Sequence, residues 1–100
     1  MILEMATLIV KLGQAEAFEE ALGRARVIIQ ASPGFVRLDL RRCIESPNRY
    51  ALLVTWNCVE DHTVRFRQSE AYQKWRNALH DFYEQPPTVE HYNEPVKWQS

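Results

Sequence analysis

Six side chains between Trp56 and Trp75 carry most of the chemistry this chain has to offer: His62, Arg65 and Tyr72 are polar, and Trp56, Phe66 and Trp75 are aromatic. An imidazole titrates near pH 6.5, so His62 is the group able to exchange a proton at neutral pH. It shares a helical face with Val59 and Phe66 and is directed at any cavity beneath that face. Tyr72 offers a hydroxyl at the cavity wall, Arg65 a cation to steady an anion, and the three aromatics apolar walls. Each also has a plainer reading. A lone histidine on an apolar face is more often structural, Tyr72 and Trp75 fit a core stripe, and a flank arginine is usually solvated. His80 falls on the Arg76 side of its helix and reads as exposed, and the pattern leaves the side taken by His91 open. There is no Gly-rich phosphate loop, zinc spacing, pair of catalytic carboxylates or nucleophile elbow. No metal or cofactor is therefore expected.

These residues need elements to hold them. Arg49 to Trp56 is β-branched, aromatic and aliphatic and reads as a strand. From Val59 the period changes, and Tyr72, Trp75, Leu79 and Phe82 recur on one helical face. Ile2 to Lys11 is apolar on both alternating faces, as in a central strand covered on two sides. Gly13 breaks it, and Ala15, Phe18, Leu22, Ala25 and Ile29 form a second helical stripe, with Glu20 one turn from Arg24 on the outer face. Ser32-Pro33-Gly34 ends that helix. Phe35 to Glu45 alternates, with Val36, Leu38, Leu40 and Ile44 on one side and Arg37, Asp39, Arg41 and Cys43 on the other.

A hairpin turning through Glu45 to Arg49 would set Leu38 opposite Trp56, Leu40 opposite Val54 and Ile44 opposite Tyr50 on the face that receives the helices. The other face would then pair Arg37 with Asn57, Asp39 with Thr55 and Arg41 with Leu53. After Gln85-Pro86-Pro87, Thr88 to Asn93 reads as a last strand. The order is that of an α+β, ferredoxin-like βαββαβ sandwich, with a four-stranded antiparallel sheet carrying helices on one face. Residues 1–95 form the domain and 96–100 a tail. The bare sheet face is too apolar for water, since each large side chain left exposed forgoes roughly 1.5 to 3 kcal/mol, so a homodimer joined face to face is expected.

A net charge of −1 without a basic cluster leaves no footprint for nucleic acid. No apolar run approaches the roughly 20 residues of a membrane span, and the N-terminus lacks a signal peptide's basic start and small-residue cleavage site. A cytoplasmic location follows. In the hairpin above Cys43 faces Ala51 and Cys58 lies near Val36, placing the sulfurs on the order of 20 Å apart, beyond disulfide reach. Free thiols agree with a reducing compartment.

Gly13 before an acidic amphipathic helix, Pro33-Gly34-Phe35, Tyr50 through Trp56, Ser69-Glu70-Ala71-Tyr72 and the closing Val89-Glu90-His91-Tyr92 together resemble the antibiotic biosynthesis monooxygenase family, over residues 2 to about 94. The resemblance implies a dimeric α+β barrel in which two sheets pack face to face. It also implies one of several activities: cofactor-independent oxidation of phenols to quinones with O2, or haem cleavage. The haem-cleaving pattern of asparagine, tryptophan and histidine meets Ala6, Arg65 or Phe66, and Arg76 here, which speaks against that branch. Many members carry a histidine where Phe66 stands, and His62 lies one helical turn earlier. On this resemblance the expected function is cofactor-free monooxygenation of a small phenol or hydroquinone. His62 would be the base, Tyr72 a donor, Arg65 an anion stabiliser, and Trp56, Phe66 and Trp75 the walls. The alternative is a dimer that binds a small apolar ligand without turning it over.

Overall fold

Four antiparallel strands form one open sheet in the order β2-β3-β1-β4. The computed structural model describes residues 1–99. The strands are β1 (Ile2–Ile9), β2 (Phe35–Arg42), β3 (Arg49–Trp56) and β4 (Thr88–Tyr92). Helix α1 (Ala15–Gln30) joins β1 to β2. Between β3 and β4 come a π-helical turn (Asp61–Phe66), helix α2 (Glu70–Leu79) and a short 3-10 turn (His80–Phe82). This is the ferredoxin-like α+β sandwich, with α1 and α2 packed on one face and each other.

The covered face alternates as a half-buried strand must. Ala6 and Leu8 of β1, and Tyr50, Leu52, Val54 and Trp56 of β3, are buried against Phe18, Leu22, Ala25 and Ile29 of α1 and Trp75 and Leu79 of α2. Each large side chain so buried contributes roughly 1.5 to 3 kcal/mol. The Tyr50 hydroxyl donates to Glu19 of α1 at 2.5 Å, tying helix to sheet at its edge. The opposite face carries Leu3, Met5, Ile9 and Leu53, half-buried, beside the exposed Arg37 and Arg41.

The β2–β3 register differs from expectation by two residues. Leu38 lies opposite Val54, Leu40 opposite Leu52 and Arg41 opposite Ala51, while the other face pairs Arg37 with Thr55 and Asp39 with Leu53. The turn lies one residue earlier than Glu45 to Arg49, since the Cys43 N–H donates to the Arg49 carbonyl and Ile44 is 89% exposed in the loop. Ile44 therefore does not pair with Tyr50, and Cys43 does not face Ala51. A shift of two preserves the faces of a strand, so the apolar side is the expected one up to the bulge between Phe35 and Arg37. There the parity breaks. Val36 turns outward, and Phe35 takes the place opposite Trp56, their rings meeting edge to face at 6.0 Å.

Cys43 and Cys58 are free thiols. Residues 93–99 form no helix or strand, with Val96 and Trp98 exposed. The last residue of the expected tail, Ser100, lies outside the described residues. No helix among the described residues is long and apolar enough to cross a membrane.

Candidate functional site

His62 reaches the interior through an unusual piece of helix. After Trp56 the chain is pinned by the Asn57 N–H donating to the Gly34 carbonyl at 2.8 Å. The buried Asp61 carboxylate accepts from the Cys58 N–H and thiol, both at 3.3 Å, and lies over Gly34, whose φ of +83° and lack of a Cβ leave room for it. Between Asp61 and Phe66 the helix widens to the π form, marked by the Arg67 N–H bonding back to the His62 carbonyl, five residues earlier. The wide turn buries both His62 and Phe66. Ser69 then restarts a normal helix, its hydroxyl accepting from the Tyr72 N–H at 3.1 Å.

Inside, His62 belongs to a polar chain crossing three strands. The Trp56 indole N–H donates to Oε1 of Glu4 at 2.9 Å, and Nε2 of His62 lies 3.4 Å from the same oxygen. Nδ1 of His62 is 2.8 Å from Nε2 of His91. Glu4 and His91 sit opposite each other on β1 and β4, and the Trp56 ring stacks on the His62 imidazole at 5.5 Å. Burial raises the Glu4 carboxyl above its ordinary range, opposed by the Trp56 N–H and by the positive charge of Arg67. Burial, Arg67 and His91 push His62 down to about 3, and burial with Arg67 lowers His91. At neutral pH His62 is therefore uncharged, with one donor and one acceptor nitrogen. Glu4 and His62 lie side by side, 3.4 Å apart, with the imidazole uncharged.

A cavity of about 150 Å³ lies beside this chain. Its floor and walls include Glu4, Ala6 and Leu8 of β1, His62 and Phe66 of the π-helical turn, and Tyr72 and Trp75 of α2. The exposed Arg67, Arg76 and His80 stand at its rim. Burial and the neighbouring Tyr72 push the Tyr83 hydroxyl, also on the wall, well above its ordinary value.

Of the six residues singled out from sequence, His62, Phe66, Tyr72 and Trp75 line this cavity. The other two are placed differently. Trp56 is wholly buried behind His62 and acts on the site through its N–H. Arg65 is exposed and faces Asp61 at 3.6 Å; the guanidinium groups at the cavity are those of Arg67, two residues on, and Arg76. In a helix wound to the π form, a residue's side no longer follows the 3.6 period used to place it. His91 takes the helix-facing side of β4, and His80 is exposed as expected. Glu4 and Arg67 were missed. The signal for Glu4 was present, as the one carboxylate in the apolar run of β1, on the same side as Ala6 and Leu8. No group of three His, Cys, Asp or Glu side chains among the described residues is placed to hold a metal ion. The two nitrogens of His62 face different neighbours, so Glu4, His62 and His91 share no common point.

The family model for antibiotic biosynthesis monooxygenases matches residues 1–78. An uncharacterised Bacillus subtilis protein, YczJ, is 43% identical over 94 residues, spanning 94% of this chain and 99% of its own. The crystal structure of a family protein from Bordetella bronchiseptica superposes with a TM-score of 0.92 at 36% identity, covering 95% of this chain and 97% of that one. SnoaB, a cofactor-independent oxygenase from Streptomyces nogalater, shares the fold with a TM-score of 0.80 at 18% identity, covering 99% and 97% of the two chains.

Proposed function

Because the chain belongs to the antibiotic biosynthesis monooxygenase family, we propose that its cavity binds a single-ring phenol or hydroquinone and promotes that ring's oxidation by O2 without a cofactor. The observation that carries this reading is Glu4, a buried carboxylate lining an otherwise largely apolar cavity of about 150 Å³. A cavity near that size holds one benzene ring. It is far too small for haem or a fused polycycle, which agrees with Ala6 and Arg76 standing where the haem-cleaving pattern has other residues.

Glu4 takes the phenolic proton. Its raised affinity for protons, caused by burial, suits a general base working nearer neutral pH. Nδ1 of His62 bonds with His91 and Nε2 faces Glu4 at 3.4 Å, so the imidazole acts as a positioning residue between Glu4 and His91 at the surface. The phenolate then reduces O2, and the resulting superoxide and phenoxyl radical join at a ring carbon as a hydroperoxide. Loss of the ring C–H proton and cleavage of the O–O bond release water and leave the quinone. In total, phenol and O2 give quinone and water, with the four electrons supplied by the ring. Phe66, Tyr72 and Trp75 keep the ring dry and in place. Two copies meeting on the open face through Leu3, Met5, Ile9 and Leu53 would complete the dimeric barrel.

One observation favours a second reading. One nitrogen of the imidazole is bonded to His91 and the other faces Glu4 rather than the cavity's open end, which suits a module that holds a ring without turning it over. Oxygen uptake with single-ring hydroquinones, run on wild type and Glu4→Gln, separates the two. The oxygenase reading expects the variant to bind the ring but turn over about 10²- to 10⁴-fold more slowly. Ring binding with no O2 uptake by the wild type would support the binding module.

A further inference from the structure

The cavity is apolar within and cationic at its rim. Among the described residues the arginine–carboxylate pairs are Arg24 with Glu20, Arg37 with Asp39, Arg42 with Glu19, and Arg65 with Asp61. Arg67 and Arg76 belong to none of them, and both line the cavity. They arrive from different elements, Arg67 from the end of the π-helical turn and Arg76 from α2. The third polar group at the rim, His80, already has a partner in Asp81 at 3.1 Å. Glu4 is the one acidic side chain on the lining, and it is buried at the floor beside Trp56 and His62.

We infer that the ring taken by this cavity carries an anionic substituent, a carboxylate, held at the rim by Arg67 and Arg76 while the ring fills the apolar interior. The substrate class is therefore an aryl carboxylate, a hydroxybenzoate in the oxygenase reading. A guanidinium matches a carboxylate with parallel N–H donors, and two of them lining one mouth, neither in an ion pair among the described residues, fit that group better than a neutral phenol. Orientation follows from the same geometry: with its carboxylate outward, the ring presents its far edge, where a hydroxyl would stand, toward Glu4. The inference rests on the cavity being a single-ring site but is independent of any reaction with oxygen.

Benzoate and benzamide provide the test, since they share size and shape and neither has a hydroxyl to oxidise. Calorimetric titration of wild type should show benzoate binding about tenfold tighter than benzamide at low salt, an advantage typical of a charge-assisted but partly exposed contact. That advantage should shrink as salt is raised. It should largely vanish in Arg67→Gln with Arg76→Gln, with benzoate losing clearly more affinity than benzamide. Both arginines are exposed, so the double variant should fold, which circular dichroism checks. Equal binding of the two rings by wild type, or a benzoate preference that survives both substitutions, would overturn the inference. Binding of neither ring would overturn the single-ring site beneath it as well, whereas binding of benzoate without any turnover of hydroxybenzoates would leave the inference standing and remove only the oxygenase reading.

Discussion

Nε2 of His62 sits 3.4 Å from Oε1 of Glu4, with both side chains buried, and burial drives the two in opposite directions: the carboxyl holds its proton more tightly and the imidazole holds its proton less. An ion pair would have raised the imidazole and depressed the acid. In this interior the desolvation of two charges outweighs their attraction, and the pair is kept by hydrogen bonds from Trp56 and to His91.

The depressed His62 makes acid sensitivity a direct consequence. Between its ordinary 6.5 and its native value of about 3, the unfolded chain binds a proton that the native chain does not. Its contribution to stability is therefore complete above pH 6.5 and is lost as pH falls toward 3, by a few kcal/mol at most. Glu4 works with the opposite sign: from its ordinary 4.5 up to its raised value the native state binds the extra proton, so stability falls as pH rises through that window. Urea melts from pH 3 to 8 should show a flatter acid limb for His62→Gln than for wild type. A limb of unchanged slope would mean that His62 is charged in the native protein.

Trp56→Phe keeps an aromatic ring behind His62 but removes the N–H that lowers Glu4. The carboxyl should then titrate higher still. In the oxygenase reading the rising limb of the pH–rate profile should move to higher pH, with a loss of roughly 1 to 3 kcal/mol in stability for the lost hydrogen bond and packing. A profile that stays in place would detach Trp56 from the titrating group.

Two glycines with nearly the same φ give a matched test of the Asp61 clamp. Gly13, at +81°, has nothing within 4 Å of where a Cβ would stand, whereas a Cβ on Gly34, at +83°, would collide with the Asp61 carboxylate. Gly13→Ala should cost about 1 to 2 kcal/mol from the left-handed backbone alone. Gly34→Ala should cost clearly more, because Asp61 must leave the position from which it accepts the Cys58 N–H. Equal melting temperatures for the two variants would show that Asp61 yields freely.

If copies pair through the open sheet face, a charge at its centre should separate them. Leu53 lies opposite Met5 on one side and Asp39 on the other. Leu53→Glu is expected to give a monomer by light scattering where wild type gives a dimer. A wild-type monomer at micromolar concentration would remove the face-to-face barrel.

What the sequence made legible was local. Helical stripes such as Phe18, Leu22, Ala25 and Ile29 report which face is buried, and strand alternation reports which side of a sheet is apolar. A register shift of two leaves that alternation unchanged, so the β2–β3 pairing could not be read from it; only the position of the turn, one residue earlier than expected, and the bulge at Phe35 decide it. The site was half legible for the same reason. Phe66, Tyr72 and Trp75 follow from periodicity within one stretch, but Glu4, His62 and His91 meet because β1 pairs with β4 and the π-helical turn lies over both, contacts between residues far apart in the chain. Arg67 and not Arg65 lines the cavity, where the helix widens between Asp61 and Phe66, which no residue type announces.

The central claim, that this cavity lets a single-ring phenol reduce O2 with Glu4 as the base, is tested most directly by isotope. Wild-type protein would be incubated under ¹⁸O2 with a panel of single-ring phenols and hydroquinones, hydroxybenzoates among them, and the quinone products examined by mass spectrometry beside Glu4→Gln. The account predicts one labelled oxygen in the product of wild type, formed faster than in buffer, and a rate about 10²- to 10⁴-fold lower with the variant. Quinone without label, or labelled quinone formed equally fast by Glu4→Gln, would contradict it.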